Sequence, residues 1–344
     1  MRTAVVLFNL GGPDSLSAVR PFLTNLFDDP AIIRLPSIAR WLLARVIAYR
    51  RAPVAREIYR HLGGSSPILA NTEAQARALE AILGEGYKVF IAMRYWRPFS
   101  RETAAAVKGW SPDRIVPLPL YPQFSTTTTA SSFVDWQRAA ARLRFSCPSR
   151  ILCCYPDDDG LVEAIVRPLR RALDETPPGD RIRVLFSAHG LPERIAAAGD
   201  PYRWQVERTV AAVLARLARP EVDAVLCFQS RVGPLAWLKP ATDDEIRRAG
   251  AERRSLIVVP IAFVSEHSET LVELDRDYGR LAESCGVPSY RRLPTVGTDP
   301  LFVEGLARAV HALAEDGPPI RSNTGARLCP PQFGGCLCAG ARAG

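Results

Sequence analysis

The chain has 344 residues, 47% of them hydrophobic and 23% charged, with a mean hydropathy near zero. That is enough for two ordinary domains with substantial cores, and it excludes an intrinsically disordered chain. The formal charge of +8 comes mostly from arginine, which suits carboxylate recognition but serves equally on solvated faces. With no basic run interleaved with aromatics, nucleic acid is not the expected partner.

The opening strand, Ala4–Phe8, follows Met1-Arg2-Thr3 directly and is too short for the apolar region of a secretory signal. No stretch approaches the ~20 apolar residues of a spanning helix. The expected location is therefore cytoplasmic, with peripheral contact at a membrane left open. Buried parallel strands are then predicted at Val89–Met93, Ile115–Leu120, Val184–Phe186, Ala224–Phe228 and Leu256–Phe263. Helical patterns fall between them at Thr72–Leu83, Leu161–Leu173, Tyr202–Leu217 and Phe302–Leu313. This alternation predicts an α/β fold with parallel sheets flanked by helices. Val116-Pro117-Leu118 and Val259-Pro260-Ile261 lead into similar polar stretches, a faint internal echo of two halves. The expected division is a first domain over 1–145, a second over 146–315 and a Gly/Pro-rich extension over 316–344.

Polar motifs follow the strands, where open α/β sheets bind ligands. They are Asn9–Pro13, Arg94–Pro98, Tyr121–Ser125, Ser187–Pro192 and Ser265–Glu269. The Gly11-Gly12-Pro13 turn lacks G-x-G-x-x-G spacing, and Pro13 offers no N–H to a phosphate, so no nucleotide cofactor is expected. Of the four histidines, His61 and His311 fall in helical or surface patterns. His189 and His267 stand at strand ends beside Glu266 and Glu269, a set that can bind a divalent metal and accept protons near neutral pH. Glu269, Glu273 and Asp277 recur every four residues, an acidic stripe on a helix leading away from that site.

Pro36–Arg60 combines Ile38, Trp41, Leu42, Val46 and Ile47 with Arg40, Arg45, Arg50, Arg51 and Arg56. It reads equally as an interfacial helix or as a helix packed over a cleft. Cys329, Cys336 and Cys338 have the spacing C-x6-C-x-C, with Gly334 and Gly335 free to fold closely around a cofactor. Eight cysteines in a reducing compartment are not expected to form disulfides.

Seven motifs in order make the chain resemble the ferrochelatase family through nearly its whole length. They are Asn9–Pro13, Gly63–Pro67, Met93–Pro98, Leu118–Ser125, Phe186–Pro192, Gln229–Pro234 with Trp237-Leu238, and Pro260–Asp275. The resemblance implies two Rossmann-like domains with a porphyrin cleft between them and a lip from about residue 22 to 60. It implies insertion of Fe(II) into protoporphyrin IX to give protohaem, with His189 as catalytic base and metal contact, Glu269 as its acidic partner and His267 nearby. Arg94 and Tyr95 match residues on the opposite side of the macrocycle. Arg51, Tyr59 and Ser66 match porphyrin and propionate contacts, and Leu10 and Trp237 complete the implied substrate-binding set. Arg97 departs from the pattern, standing where relatives often carry histidine.

Asn9–Pro13 resembles the branch that uses protoporphyrin, not coproporphyrin. The tail resembles that of cluster-bearing ferrochelatases. This implies a two-iron, two-sulfur cluster on Cys329, Cys336, Cys338 and an upstream cysteine, Cys154, with Cys153 in reserve. A structural zinc or three free thiols are the alternatives for the tail. Alternatives for the whole chain are a chelatase for another metal or porphyrin, or a non-enzymatic metal- or haem-binding protein. Monomer and homodimer both remain open.

Overall fold

A computed structural model describes residues 1–231, 233, 235–314 and 317–340. Val232 and Pro234 of the Gln229–Pro234 motif, Asp316 at the expected start of the extension, and residues 341–344 lie outside the described residues. The chain divides into two compact units: Met1–Cys154 with Leu306–Leu328 and Cys336–Gly344, and Tyr155–Gly305 with Cys329–Gly335.

The first unit is built on a parallel sheet of order β2-β1-β3. Its strands are β1 (Thr3–Asn9), β2 (Tyr87–Met93) and β3 (Arg114–Pro119). Every residue of β1 is buried, as the unbroken apolar run requires of a central strand covered on both faces. Helices α1 (Val19–Phe27), α2 (Ser37–His61), α3 (Ile68–Leu83), α4 (Ser100–Trp110) and α5 (Thr129–Arg142) complete the unit. One core joins Val6 and Phe8 to Val107, Phe133 and Trp136. A second gathers Val19, Phe22, Leu23, Ala48, Ala52, Tyr59 and Tyr95. The short strand β4 (Ile151–Leu152) pairs in parallel with a returning tail strand, Ile320–Arg321.

The buried face of α2 is small and its exposed face large. Ala44, Ala48 and Ala52, four residues apart, are buried, whereas Ile38 is 77% exposed, Trp41 45%, and Leu42, Val46 and Tyr49 are also exposed. The alanine stripe lets α2 lie close against α1. Arg40 is engaged locally, donating to the backbone carbonyls of Asp28 and Leu35.

The second unit carries a parallel sheet of order β6-β5-β7-β8: β5 (Ile182–His189), β6 (Asp223–Gln229), β7 (Ser255–Pro260) and β8 (Tyr290–Arg292). Its helices include α6 (Asp159–Asp174), α7 (Glu193–Ala197), α8 (Tyr202–Leu217), α9 (Thr242–Ala251) and α10 (Tyr278–Ser284). α11 (Pro300–Ala314) follows. The acidic stripe Glu269–Asp277 is a π-helical segment running into α10; such wide turns are rare and concentrate at functional sites. Leu185, Cys227, Ile246, Val258 and Leu274 form the core beneath it.

Candidate active site

β5 is one of the two inner strands of its sheet and ends at His189, so the imidazole stands at the carboxyl edge where ligands bind in such folds. Its Nδ1 lies 2.7 Å from Oε2 of Glu269, the first residue of the π-helical segment. Burial raises the Glu269 carboxyl, but the charge and hydrogen bond of His189, with help from His267 and Ser230, hold it down to about 2. An ionised carboxylate only accepts, so His189 carries its proton on Nδ1 and presents Nε2 as the basic nitrogen. Burial lowers the imidazole, yet the charge and hydrogen bond of Glu269 and the charge of Glu273 raise it above its ordinary value. The result is a strengthened base whose side chain is still 44% exposed.

Glu273, one turn along, is raised by burial and by the charge of Glu269. Its carboxylate accepts from the Ser230 backbone at 2.8 Å, from Tyr278 Oη at 3.0 Å, and from the Ser230 hydroxyl. Ser230 has a left-handed backbone, φ 65°, immediately after β6. That conformation is unfavourable for a residue with a side chain, and here Glu273 bonds both its N–H and its hydroxyl. The Ser230 Oγ also reaches Glu269 at 3.4 Å, so it joins the two carboxylates. Beyond Glu273, an open groove of about 560 Å³ is lined by Asp277, Arg231, Trp237, Asp243 and Arg247 among others.

His267 is buried, and its Nδ1 donates to the Ser265 carbonyl at 3.0 Å. Glu266 turns away from this group: its Oε1 accepts from Arg292 at 2.6 Å and from the Thr295 backbone at 2.9 Å. It ties β8 to the following loop. The structure thus brings together His189, Glu269 and Glu273 and leaves Glu266 outside.

In the first unit, Arg94 and Tyr95 follow β2. Asp29, which is buried, accepts from Arg94 at 2.8 Å, from the Tyr95 hydroxyl at 2.7 Å, and from Ser131. The Arg94 guanidinium also bonds Ser131 at 2.7 Å and lies 4.8 Å from the Tyr95 ring centre. Tyr95 and Tyr59 are both buried in the α1–α2 core. Arg51 lies on the exposed side of α2, 5.8 Å from the Phe27 ring centre. Ser66 donates its N–H to the Pro13 carbonyl at 2.8 Å. Ser66 also explains Gly12, where a Cβ would fall 2.4 Å from the Ser66 Oγ. Leu10 is half-buried, its N–H held by Asn9 Oδ1 at 2.8 Å. Arg97 is paired with Glu102 at 2.6 Å, on the first turn of α4.

The thiols of Cys153, Cys336 and Cys338 are buried and lie within 4.8 Å of one another. The pairing of β4 with the tail strand produces this. Cys153 follows β4 directly and donates its N–H to Arg321 at 2.7 Å, while Cys338 Sγ approaches the Ile320 carbonyl at 3.6 Å. Hydrogen bonding to Cys154 and Cys336, with burial, pushes the Cys153 thiol well up. Three convergent sulfurs are a soft donor set, which fits an iron–sulfur cluster or zinc and not a hard cation. Cys154 is buried beside them, its carbonyl accepting from Asn323 at 3.0 Å. Cys329, in the second unit, accepts at Sγ from Gln205 at 3.0 Å.

Sequence reasoning missed Asp29, Ser131, Ser230 and Tyr278. Ser230 alone carried a signal, since it lies directly after a strand inside a recognised motif. The others act from loops and helices whose proximity to the sites no local pattern encodes.

A family model described as Ferrochelatase matches residues 2–313. The ferrochelatase of Phenylobacterium zucineum (strain HLK1) is 54% identical over 345 residues, covering 98% of both chains. That of Caulobacter vibrioides (strain NA1000 / CB15N) is 50% identical over 342 residues, covering 98% of this chain and 97% of the relative. Among solved structures, the sirohydrochlorin chelatase SirB from Bacillus subtilis subspecies spizizenii in complex with cobalt matches with a TM-score of 0.52. It is 14% identical, covering 91% of this chain and 96% of that one, and so shares the fold alone.

Proposed function

Because the chain belongs to the ferrochelatase family, we propose that it inserts Fe(II) into protoporphyrin IX, with His189 and Glu269 at the proton and metal site. The reaction exchanges one Fe(II) for the two pyrrole N–H protons, giving protohaem and two protons. The observation that carries this reading is the 2.7 Å contact between His189 Nδ1 and Glu269. It leaves Nε2 as the acceptor for a pyrrole proton or a weak ligand for the entering iron. Glu269 stabilises the imidazolium that forms. Glu273, whose carboxyl is raised by burial and by the charge of Glu269, passes protons onward past Asp277 along the groove, with His267 supporting Glu269 from behind. Few and weak ligands suit this task, since a full cage would hold the metal.

In the first unit, Arg94, Arg51, Ser66 and Leu10 frame the macrocycle and its propionates, with the buried Tyr59 and Tyr95 supporting them from the α1–α2 core; in the second, Trp237 lines the groove beyond Glu273. The preferred substrate is protoporphyrin IX over its four-carboxylate relative, in keeping with Asn9–Pro13 and with the greasy exposed face of α2. No helix among the described residues is long and apolar enough to cross a membrane. The α2 face instead supports peripheral contact with a cytoplasmic membrane surface. Cys153, Cys336 and Cys338 supply thiolates of a two-iron, two-sulfur cluster. Insertion transfers no electrons, so the cluster serves to fix the tail or to sense redox conditions.

The test is direct: purified protein, ferrous iron and protoporphyrin IX under anaerobic conditions, followed by absorbance. The wild type forms protohaem, and His189→Ala loses turnover while keeping its fold. Near-normal turnover in His189→Ala would overturn the assignment of the site.

A further inference from the structure

β5 pairs with β7 only as far as Ser187–Pro260, after which Ile261 closes the ladder by donating to Ser187 at 3.0 Å. His189 lies two residues further on, where its carbonyl has no partner on β7. The hydroxyl of Tyr202 takes that place, donating to the His189 carbonyl at 3.1 Å. A carbonyl left without its ladder partner takes up such a donor, and this one comes from the first residue of α8.

The start of α8 is itself held from the other side. Asp200 Oδ1 accepts the Tyr202 N–H at 2.9 Å. The Gly199 carbonyl accepts from Gly335 at 3.0 Å. Gly199 has φ +89°, and a Cβ there would stand 3.2 Å from the Gly334 nitrogen, so only glycine lets the tail backbone come this close. The Trp204 and Phe333 rings lie 5.8 Å apart, and Gln205 Nε2 bonds Cys329 Sγ at 3.0 Å. Residues 199, 204 and 205 therefore dock the tail loop Cys329–Gly335, while residue 202, between them, holds the peptide of His189.

We propose that Tyr202 is a positioning residue for His189, and that the tail loop Cys329–Gly335 acts on the proton site through it. This rests on the reading of His189 as the catalytic base. The loop fixes where α8 begins, α8 fixes the phenol, and the phenol fixes the carbonyl of the residue whose imidazole meets Glu269. A small misplacement of a base lowers turnover without weakening substrate binding, because the lost interaction belongs to the transition state.

The test is a double-mutant cycle in the full-length holoenzyme with Tyr202→Phe and Phe333→Ala. Porphyrin KM and kcat are measured anaerobically, and His189 is followed by the nitrogen NMR signals of labelled histidine. Each single change lowers kcat by about three- to tenfold, the worth of one hydrogen bond, leaves KM unchanged and shifts the His189 signal. The double variant is no slower than the worse single one, as for residues on one route. Phe333→Leu replaces Phe333→Ala in the cycle if the smaller side chain unfolds the tail. Unchanged kcat in Tyr202→Phe, or a loss expressed in KM, overturns the positioning role. Multiplicative losses in the double variant overturn the route through the tail loop. If His189→Ala itself remains active, the reading of the site fails first; if it is dead while the cycle is flat, only this inference fails.

Discussion

Asp29 and Arg94 form an ion pair at 2.8 Å between side chains only 2% and 15% exposed, and the same Asp29 oxygen accepts from Tyr95 at 2.7 Å. One carboxylate from the loop after α1 thus orients both residues that follow β2. A buried charge with its partner removed is costly, far more than the pair is worth intact.

Asp29→Ala should therefore destabilise the protein by about 3 kcal/mol. Ser131→Ala, which removes a neutral hydroxyl from the same cluster, should cost about 1 kcal/mol. Urea denaturation of both variants checks the order. Equal, small losses would mean that Arg94 finds another counter-charge, such as Asp135 at 3.8 Å.

The second prediction concerns pH. Burial alone would lower the His189 imidazole, and Glu269 with Glu273 raises it instead. The neutral imidazole is the form that accepts a proton, so activity rises as pH climbs through that raised value. Glu269→Gln removes the charge that raises it, so the acid limb of kcat/KM moves to lower pH. The plateau falls by about tenfold or more because the imidazolium loses its stabiliser. A limb that stays in place, or moves to higher pH, would show that another group sets it.

The sheets were legible because their strands are apolar runs, buried throughout in β1 and β7. The predicted Ala4–Phe8 and Ala224–Phe228 differ from β1 and β6 by one residue at each end. Leu256–Phe263 overran β7, because Pro260 ends the ladder while the sequence stays apolar through Phe263. β4 and its tail partner, two residues each, are too short to leave a period, yet their pairing brings Cys153 to Cys336 and Cys338. His189 and Glu269 were legible as strand-end polar residues. Ser230 lay within a recognised motif, but its role did not show, because that role depends on a left-handed backbone that serine does not announce. Nor was α2 resolved: its alanine stripe is the packing face, so the large apolar residues mark the outside.

The third prediction separates Cys153 from Cys154. The Cys153 thiol converges with Cys336 and Cys338, and Cys154 is not part of that group. Anaerobically purified Cys153→Ser should lose visible colour and acid-labile sulfide, while Cys154→Ser keeps both. The reverse result would return the ligand to Cys154, as the sequence pattern alone implies. A colourless wild type with stoichiometric zinc would replace the cluster with the other metal that accepts this donor set.

The last prediction follows from the reversed character of α2. A surface helix commonly turns its large apolar residues toward the core, but here Ala44, Ala48 and Ala52 take that place, and Ile38, Trp41, Leu42 and Val46 face outward. The Arg45 guanidinium lies 3.5 Å from the Trp41 ring centre, so charge and apolar surface are interleaved on one face. Such a face gains from lying in a lipid interface, where each fully buried large side chain is worth roughly 1.5–3 kcal/mol and arginine meets anionic headgroups. Ile38 and Leu42 are four residues apart and exposed, so changing both to glutamate alters the surface without touching the core. The double variant Ile38→Glu/Leu42→Glu should lose binding to anionic vesicles by about tenfold or more in co-sedimentation, with its urea midpoint unchanged. Arg45→Gln should weaken binding mainly at low salt, since exposed charge is screened as ionic strength rises. Equal sedimentation of wild type and double variant would mean that this face does not meet the membrane. A lowered urea midpoint would mean instead that Ile38 and Leu42 help hold the fold.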